Sequence, residues 1–133
     1  MRRLHFGCCL FVMVPLLGCS TGPRLYPVSG TATFDGQPIA QGDILFFPLD
    51  KATGPEVGRI QNGQFQLKAR EGKKRVEISA ARILPGSKVR GAGGEPVPEE
   101  YIPERYNSQS ILEAEVKPQA ENSFDFKLEG KKK

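Results

Sequence analysis

An all-β fold, a sandwich of seven antiparallel strands, is what this 133-residue sequence predicts, and three observations carry it. Apolar and polar residues alternate with a period of two in several segments, the pattern of strands that bury one face. These segments are separated by turn residues, with 15 Gly and 11 Pro in the chain, and such residues break regular structure at short intervals. No segment keeps helical apolar spacing over three turns. Two packed antiparallel sheets then bury one face of every strand.

The strands follow in order. Val28, Gly30, Ala32 and Phe34 alternate with Ser29, Thr31, Thr33 and Asp35, a half-buried strand, and Asp35-Gly36 turns the chain before Gln37-Pro38 blocks any helix. A second strand covers residues 43–47, where Ile44, Leu45, Phe46 and Phe47 run consecutively. That run predicts cover on both faces, the core on one side and a loop on the other. Strands at 56–61 and 64–69 flank Asn62-Gly63, a two-residue link that is the strongest short hairpin signal. After Gly72, Val76, Ile78 and Ala80 alternate with Arg75, Glu77 and Ser79. Residues 85–98 hold four Gly and three Pro, which predicts a long, mobile loop without regular structure. Two strands complete the set: Leu112, Ala114 and Val116 form the apolar phase of one, and Phe124, Phe126 and Leu128 that of the other.

Composition narrows the class of protein. At 38% hydrophobic and 26% charged, the chain is neither a coiled coil, a polytopic membrane protein nor fully disordered. Its formal charge of +4 is weaker than it looks. Arg2 and Arg3 precede an apolar run over residues 6–17, the charged start and apolar middle of a secretory signal. The run is shorter than the roughly 20 residues a membrane-spanning helix needs. Cleavage after residue 18 removes His5, Cys8 and Cys9 and leaves 17 Lys and Arg against 15 Asp and Glu. Much of that excess sits in Lys131, Lys132 and Lys133, a solvated tail, so no nucleic-acid partner is expected.

The run ends Leu16-Leu17-Gly18-Cys19-Ser20, and here the chain resembles a bacterial lipoprotein precursor. Leu16, Gly18 and Cys19 match the family's Leu three before the cut, small residue at the cut and Cys after it. The resemblance implies cleavage between Gly18 and Cys19 and diacylation of the Cys19 thiol, a side chain well suited to alkylation because its thiolate is a strong nucleophile. Ser20, not being Asp, implies outer-membrane sorting. Cys19 is then the only Cys left, so the domain folds without an internal disulfide. The expected organisation is a lipoprotein signal peptide at 1–18, a lipidated tether at 19–27, the sandwich at 28–129 and a basic tail at 130–133.

The strand and turn residues resemble the transthyretin-like (prealbumin-like) sandwiches, an Ig-like architecture, and specifically the carboxypeptidase regulatory-like domains. Val28 and Gly30 begin the family's V-x-G-x-V strand, although Ala32 stands where its second Val is usual. Asp35-Gly36-Gln37-Pro38-Ile39 matches its D-G-x-P-I turn, and Gly63-Gln64-Phe65-Gln66-Leu67 its G-x-F-x-L strand. Some transthyretin-like relatives are hydroxyisourate hydrolases that depend on histidines and a C-terminal Tyr-Arg-Gly-Ser. The mature chain has no His and ends Glu129-Gly130-Lys131-Lys132-Lys133, so that activity is not expected.

Other chemistry is equally short of parts. Without His or a free Cys no zinc site is expected, and a Ser nucleophile lacks an imidazole base. Glu113 and Glu115 alternate on one strand face and read as solvated, not as a glycosidase pair. Asp43, Asp50 and Glu56 show no spaced calcium loop. No catalytic residue, metal or cofactor is therefore expected. The candidate binding loop lies between residues 82 and 106, where Tyr101, Arg105 and Tyr106 supply the side chains enriched in binding surfaces. Two readings stay open: Tyr101, Ile102 and Tyr106 close one end of the core, or the segment docks a partner.

The expected protein is a monomeric, lipid-anchored extracytoplasmic module, bound to the membrane through acylated Cys19 and placed in the outer membrane. Its role is binding or structural, with a protein partner at the envelope. A hydrolase accessory domain or cryptic periplasmic enzyme is the alternative.

Overall fold

The computed structural model describes residues 22–130. The signal segment, the Gly18–Cys19 junction and Lys131 to Lys133 lie outside the described residues. Ten strands follow in chain order: β1 (Tyr26–Phe34), β2 (Gln37–Pro38), β3 (Gln41–Pro48), β4 (Glu56–Gln61), β5 (Gln64–Ala69), β6 (Gly72–Ser79), β7 (Ala81–Arg82), β8 (Glu99–Glu100), β9 (Leu112–Val116) and β10 (Asn122–Leu128). A single 3₁₀ turn spans Glu104–Tyr106. Among the described residues no helix is long and apolar enough to cross a membrane.

The fold is the expected all-β sandwich, made by curling one sheet. Its seven longer strands run in the order β10-β1-β5-β4-β3-β6-β9. The curl turns on β4. This strand pairs with β3 from Gln61 to Glu56 but with β5 only through Arg59, Ile60 and Gln61, so the strands splay and the two halves of the sheet face each other. Phe46 of β3 bridges them, with ring centroids 6.4 Å from Phe65, 6.0 Å from Phe124 and 6.5 Å from Phe126. Val28, Ile44, Ile60, Val76, Ile78 and Val116 complete a core at 1% exposure or less. Phe34, Leu112 and Phe124 sit half-buried at its margin.

Local turn chemistry is as the sequence implies. Asn62 and Gly63 both take positive φ, 50° and 75°, the left-handed geometry that a two-residue hairpin needs and that Asn and Gly tolerate best. Asp35-Gly36 makes a similar turn into the short β2.

Four features differ from expectation. β1 and β10 pair in parallel, Val28 opposite Asn122 through Phe34 opposite Leu128, because the β9–β10 connection crosses between layers and starts β10 at the same end as β1. β1 also begins at Tyr26, opposite Ala69, two residues inside the expected tether. The outer face of β3 is half-buried at Leu45 and Phe47, and the cover on Phe47 is the Arg75 guanidinium, 4.9 Å above the ring. The stretch 85–98 is not wholly irregular. It is the outer part of an excursion whose stem is the β7–β8 pair, Ala81 opposite Glu100 and Arg82 opposite Glu99, with an isolated bridge between Arg90 and Pro96.

Candidate functional site

Tyr101, Arg105 and Tyr106 do come together, at the end of the sandwich where β1 and β10 finish. The Glu100 carboxylate starts the arrangement. Its Oε1 accepts the N–H groups of Ala80 (2.9 Å) and Ile102 (3.0 Å), which folds the chain back so that Ile102 enters the core at 3% exposure. Tyr101 then lies edge-on to Phe34, centroids 5.6 Å apart at 72°, under the Arg82 guanidinium at 4.3 Å. Beside this staple, Glu99 Oε1 is buried with no hydrogen-bond partner among the described residues.

Pro103 leads into the 3₁₀ turn, which aims Arg105 and Tyr106 at the outgoing end of β10. Arg105 donates to the carbonyl of Glu129 and, at 2.9 Å, to that of Gly130. Its guanidinium also lies 4.8 Å from the Tyr106 ring centroid. The Tyr106 hydroxyl accepts the Glu129 N–H at 3.2 Å, and Asp35 Oδ1 accepts the Gly130 N–H at 2.7 Å. These contacts clamp the chain after β10 against the 3₁₀ turn and the β1–β2 turn. The two phenols respond in opposite directions. The Arg105 hydrogen bond holds Tyr106 below the ordinary tyrosine range, whereas burial raises Tyr101 despite the opposing charge of Arg82.

At this corner Glu100, Arg105, Tyr106 and Asp35 use their polar groups to hold the fold together, and Glu99 Oε1 is the buried exception among the described residues. Among the described residues, no three His, Cys, Asp or Glu side chains converge to hold a metal ion.

Sequence reasoning missed a second cluster at the opposite end. Glu56 and Lys74 face inward there, and Arg70 reaches Glu56 from the half-exposed side. Lys74 Nζ lies 3.2 Å from Glu56 Oε2, and Arg70 Nε lies 3.0 Å from Glu56 Oε1. One signal could have found it. Lys74 continues the inward phase of Val76 and Ile78, as Glu56 continues that of Ile60. Loop 49–55 beside this end forms a groove of about 390 Å³ with Phe47, Pro48, Leu49, Lys51, Pro55 and Arg75 among its walls.

No family model matches the sequence, and no curated protein matches it. Among solved structures the chain is similar to a 9R-lipoxygenase from Cyanothece PCC8801, at 16% identity and a TM-score of 0.41. The match covers 83% of this chain and 17% of that one. A likeness so small in identity and extent carries no argument about function.

Proposed function

We propose that the chain is a lipid-anchored extracytoplasmic module with a binding or structural role and no catalytic activity. It is a bacterial lipoprotein that carries a carboxypeptidase regulatory-like, transthyretin-like sandwich. The observation that carries this reading is the junction Leu16-Leu17-Gly18-Cys19 directly behind the apolar run of residues 6–17. Two or three acyl chains, each methylene worth about 0.8 kcal/mol on burial, make a lasting anchor where one is marginal. Six residues separate Cys19 from Tyr26, the first residue of β1, which suits a short tether between bilayer and domain. The engaged state of Arg105 and Tyr106 favours a closing role for that corner over catalysis. With Ser20 after the Cys, the module belongs in the outer membrane, beside an envelope protein partner.

The test is expression in a Gram-negative host with a clickable fatty acid, followed by fractionation and a size check. The parent takes the label and sediments with membranes at its mature size. Cys19→Ala loses the label and is either left uncleaved or released in soluble form. A Cys19→Ala chain that is still cleaved and still held in the membrane overturns the reading.

A further inference from the structure

The tether does not leave the domain at a neutral point. Tyr26 opposes Ala69, and the buried Asn122 side chain donates to the Pro27 carbonyl at 3.2 Å while also bonding the backbone of Lys117 at both N–H and C=O. Four segments therefore meet where the chain enters: residues 22–27, the β3–β4 loop, the β5–β6 turn and the β9–β10 connection. Leu49 joins two of them, since its N–H bonds the Lys73 carbonyl at 3.3 Å.

Cations outnumber carboxylates across these segments. Arg24, Lys51, Lys68, Lys73 and Lys117 are all exposed at this end. The exposed carboxylates there are Asp50, Glu71, Glu115 and Glu121, and Asp50 Oδ1 is taken up by the Ala52 N–H. The Glu56, Lys74 and Arg70 cluster adds two cations against one anion. The end is thus positive on balance. It is also greasy in places, with Leu25 and Leu49 at 50% and 46% exposure; Leu49 lines the groove whose walls include Phe47, Pro55, the cation Lys51 and Arg75, the last paired with Glu77 at 2.8 Å.

We infer that this end is a membrane-contact face that recognises an anionic phospholipid surface, the bilayer in which the chain's own acyl anchor sits. The inference rests on the lipoprotein reading and deepens it. The seven residue-to-residue steps from Cys19 to Tyr26 reach at most about 25 Å at roughly 3.3–3.6 Å each, so the acyl anchor holds the basic end near the headgroups. A Lys or Arg close to an anionic leaflet is drawn to it by an attraction that falls off within a Debye length. Leu25 and Leu49 add apolar contact at the headgroup boundary, and the far end with its 3₁₀ turn then points away from the bilayer.

The experiment uses the mature acylated protein purified from membranes and placed in vesicles of phosphatidylcholine alone or mixed with phosphatidylglycerol. A nitroxide is attached to Leu49→Cys in one preparation and to Gly94→Cys, on the excursion beyond β7 and β8, in another. With phosphatidylglycerol present, the label at 49 loses accessibility to an aqueous relaxation agent several-fold relative to the label at 94. High salt, or Lys51→Glu with Lys68→Glu and Lys73→Glu, abolishes that shielding. Lys131→Glu with Lys132→Glu and Lys133→Glu, which follow Gly130 at the other end, leaves it intact. Equal accessibility at 49 and 94, indifference to phosphatidylglycerol, or equal loss from both triple variants overturns the contact face. A protein that fails to associate with either vesicle overturns the anchor and the face together; a protein that stays vesicle-bound with an unshielded residue 49 overturns the face alone.

Discussion

Lys74 and Glu56 meet inside the sandwich, Nζ to Oε2 at 3.2 Å, with side-chain exposures of 2% and 7%. Their desolvation is offset by each other and by Arg70, which reaches Glu56 from the half-exposed side. Two charges so placed contribute little net stability but are costly to separate, because the survivor stays buried without a counter-charge.

Glu56→Gln should therefore destabilise the domain by about 3–5 kcal/mol, read as a lower urea midpoint at unchanged slope. Replacing both partners with apolar residues, Glu56→Leu with Lys74→Met, should recover most of that loss, since Arg70 is exposed enough to hydrate. A single variant as stable as the parent would show that Lys74 finds another partner or reaches water.

At Gly30 the parallel pair of β1 and β10 leaves no room for a side chain. A Cβ at this position would lie 1.8 Å from the Phe124 carbonyl oxygen and 2.8 Å from Phe65 Cζ, and backbone cannot yield as a flexible side chain can. Gly30→Ala should cost at least about 1–3 kcal/mol, the usual range for overpacking, and lower the thermal midpoint. Gly54→Ala, with nothing within 4 Å of its Cβ, is the control and should leave the midpoint within a degree or two of the parent, on the order of surface substitutions.

The excursion beyond β7 and β8 should be dispensable. Among the described residues the Arg90 side chain hydrogen-bonds only the Ser87 and Val89 carbonyls, and the Gly91 N–H bonds the Glu95 carbonyl, so these hydrogen bonds stay within the segment. Its removal shortens a loop, and each halving changes the closure entropy by about 0.6 kcal/mol. Deleting residues 87–95 should preserve cooperative unfolding. Amide exchange across residues 86–94 of the parent should be fast, because these hydrogen bonds are exposed; strong protection there would mean that the segment packs on the domain.

Alkaline titration should separate the two corner phenols. Tyr106 ionises below its ordinary 10.0, chiefly through the Arg105 hydrogen bond, and Tyr101 above 10.0, chiefly through burial. The folded state releases the Tyr106 proton before the unfolded state does, so this group adds stability as pH rises from its lowered value towards 10. Tyr101 does the reverse, holding its proton while the unfolded chain has lost it, so stability falls above 10. Ultraviolet difference spectra of Tyr106→Phe and Tyr101→Phe should remove the early and the late component respectively. Arg105→Ala should move the early component upward.

Much of this was written locally. Alternation places Val28, Ala32, Phe65, Val76 and Ile78 inward through the period of a strand, and Asn62-Gly63 names its own turn, because both depend on residues a few positions apart. The composition of the corner was legible too, since Tyr101, Arg105 and Tyr106 stand out in the sequence. Their employment was not. It depends on Phe34, Asp35, Glu129 and Gly130, brought there by the β1–β10 pairing of residues 94 apart in sequence. The same holds for Glu56 and Lys74: strand phase marks each as inward, but they become partners only when β3 pairs with both β4 and β6 and points their side chains at each other. Strand, face and turn were thus determined by the sequence alone, through steric and hydrophobic preferences that act within a few residues. Which charges pair, which aromatic is occupied and which end carries the tether were decided only when distant segments met, because those are properties of pairs.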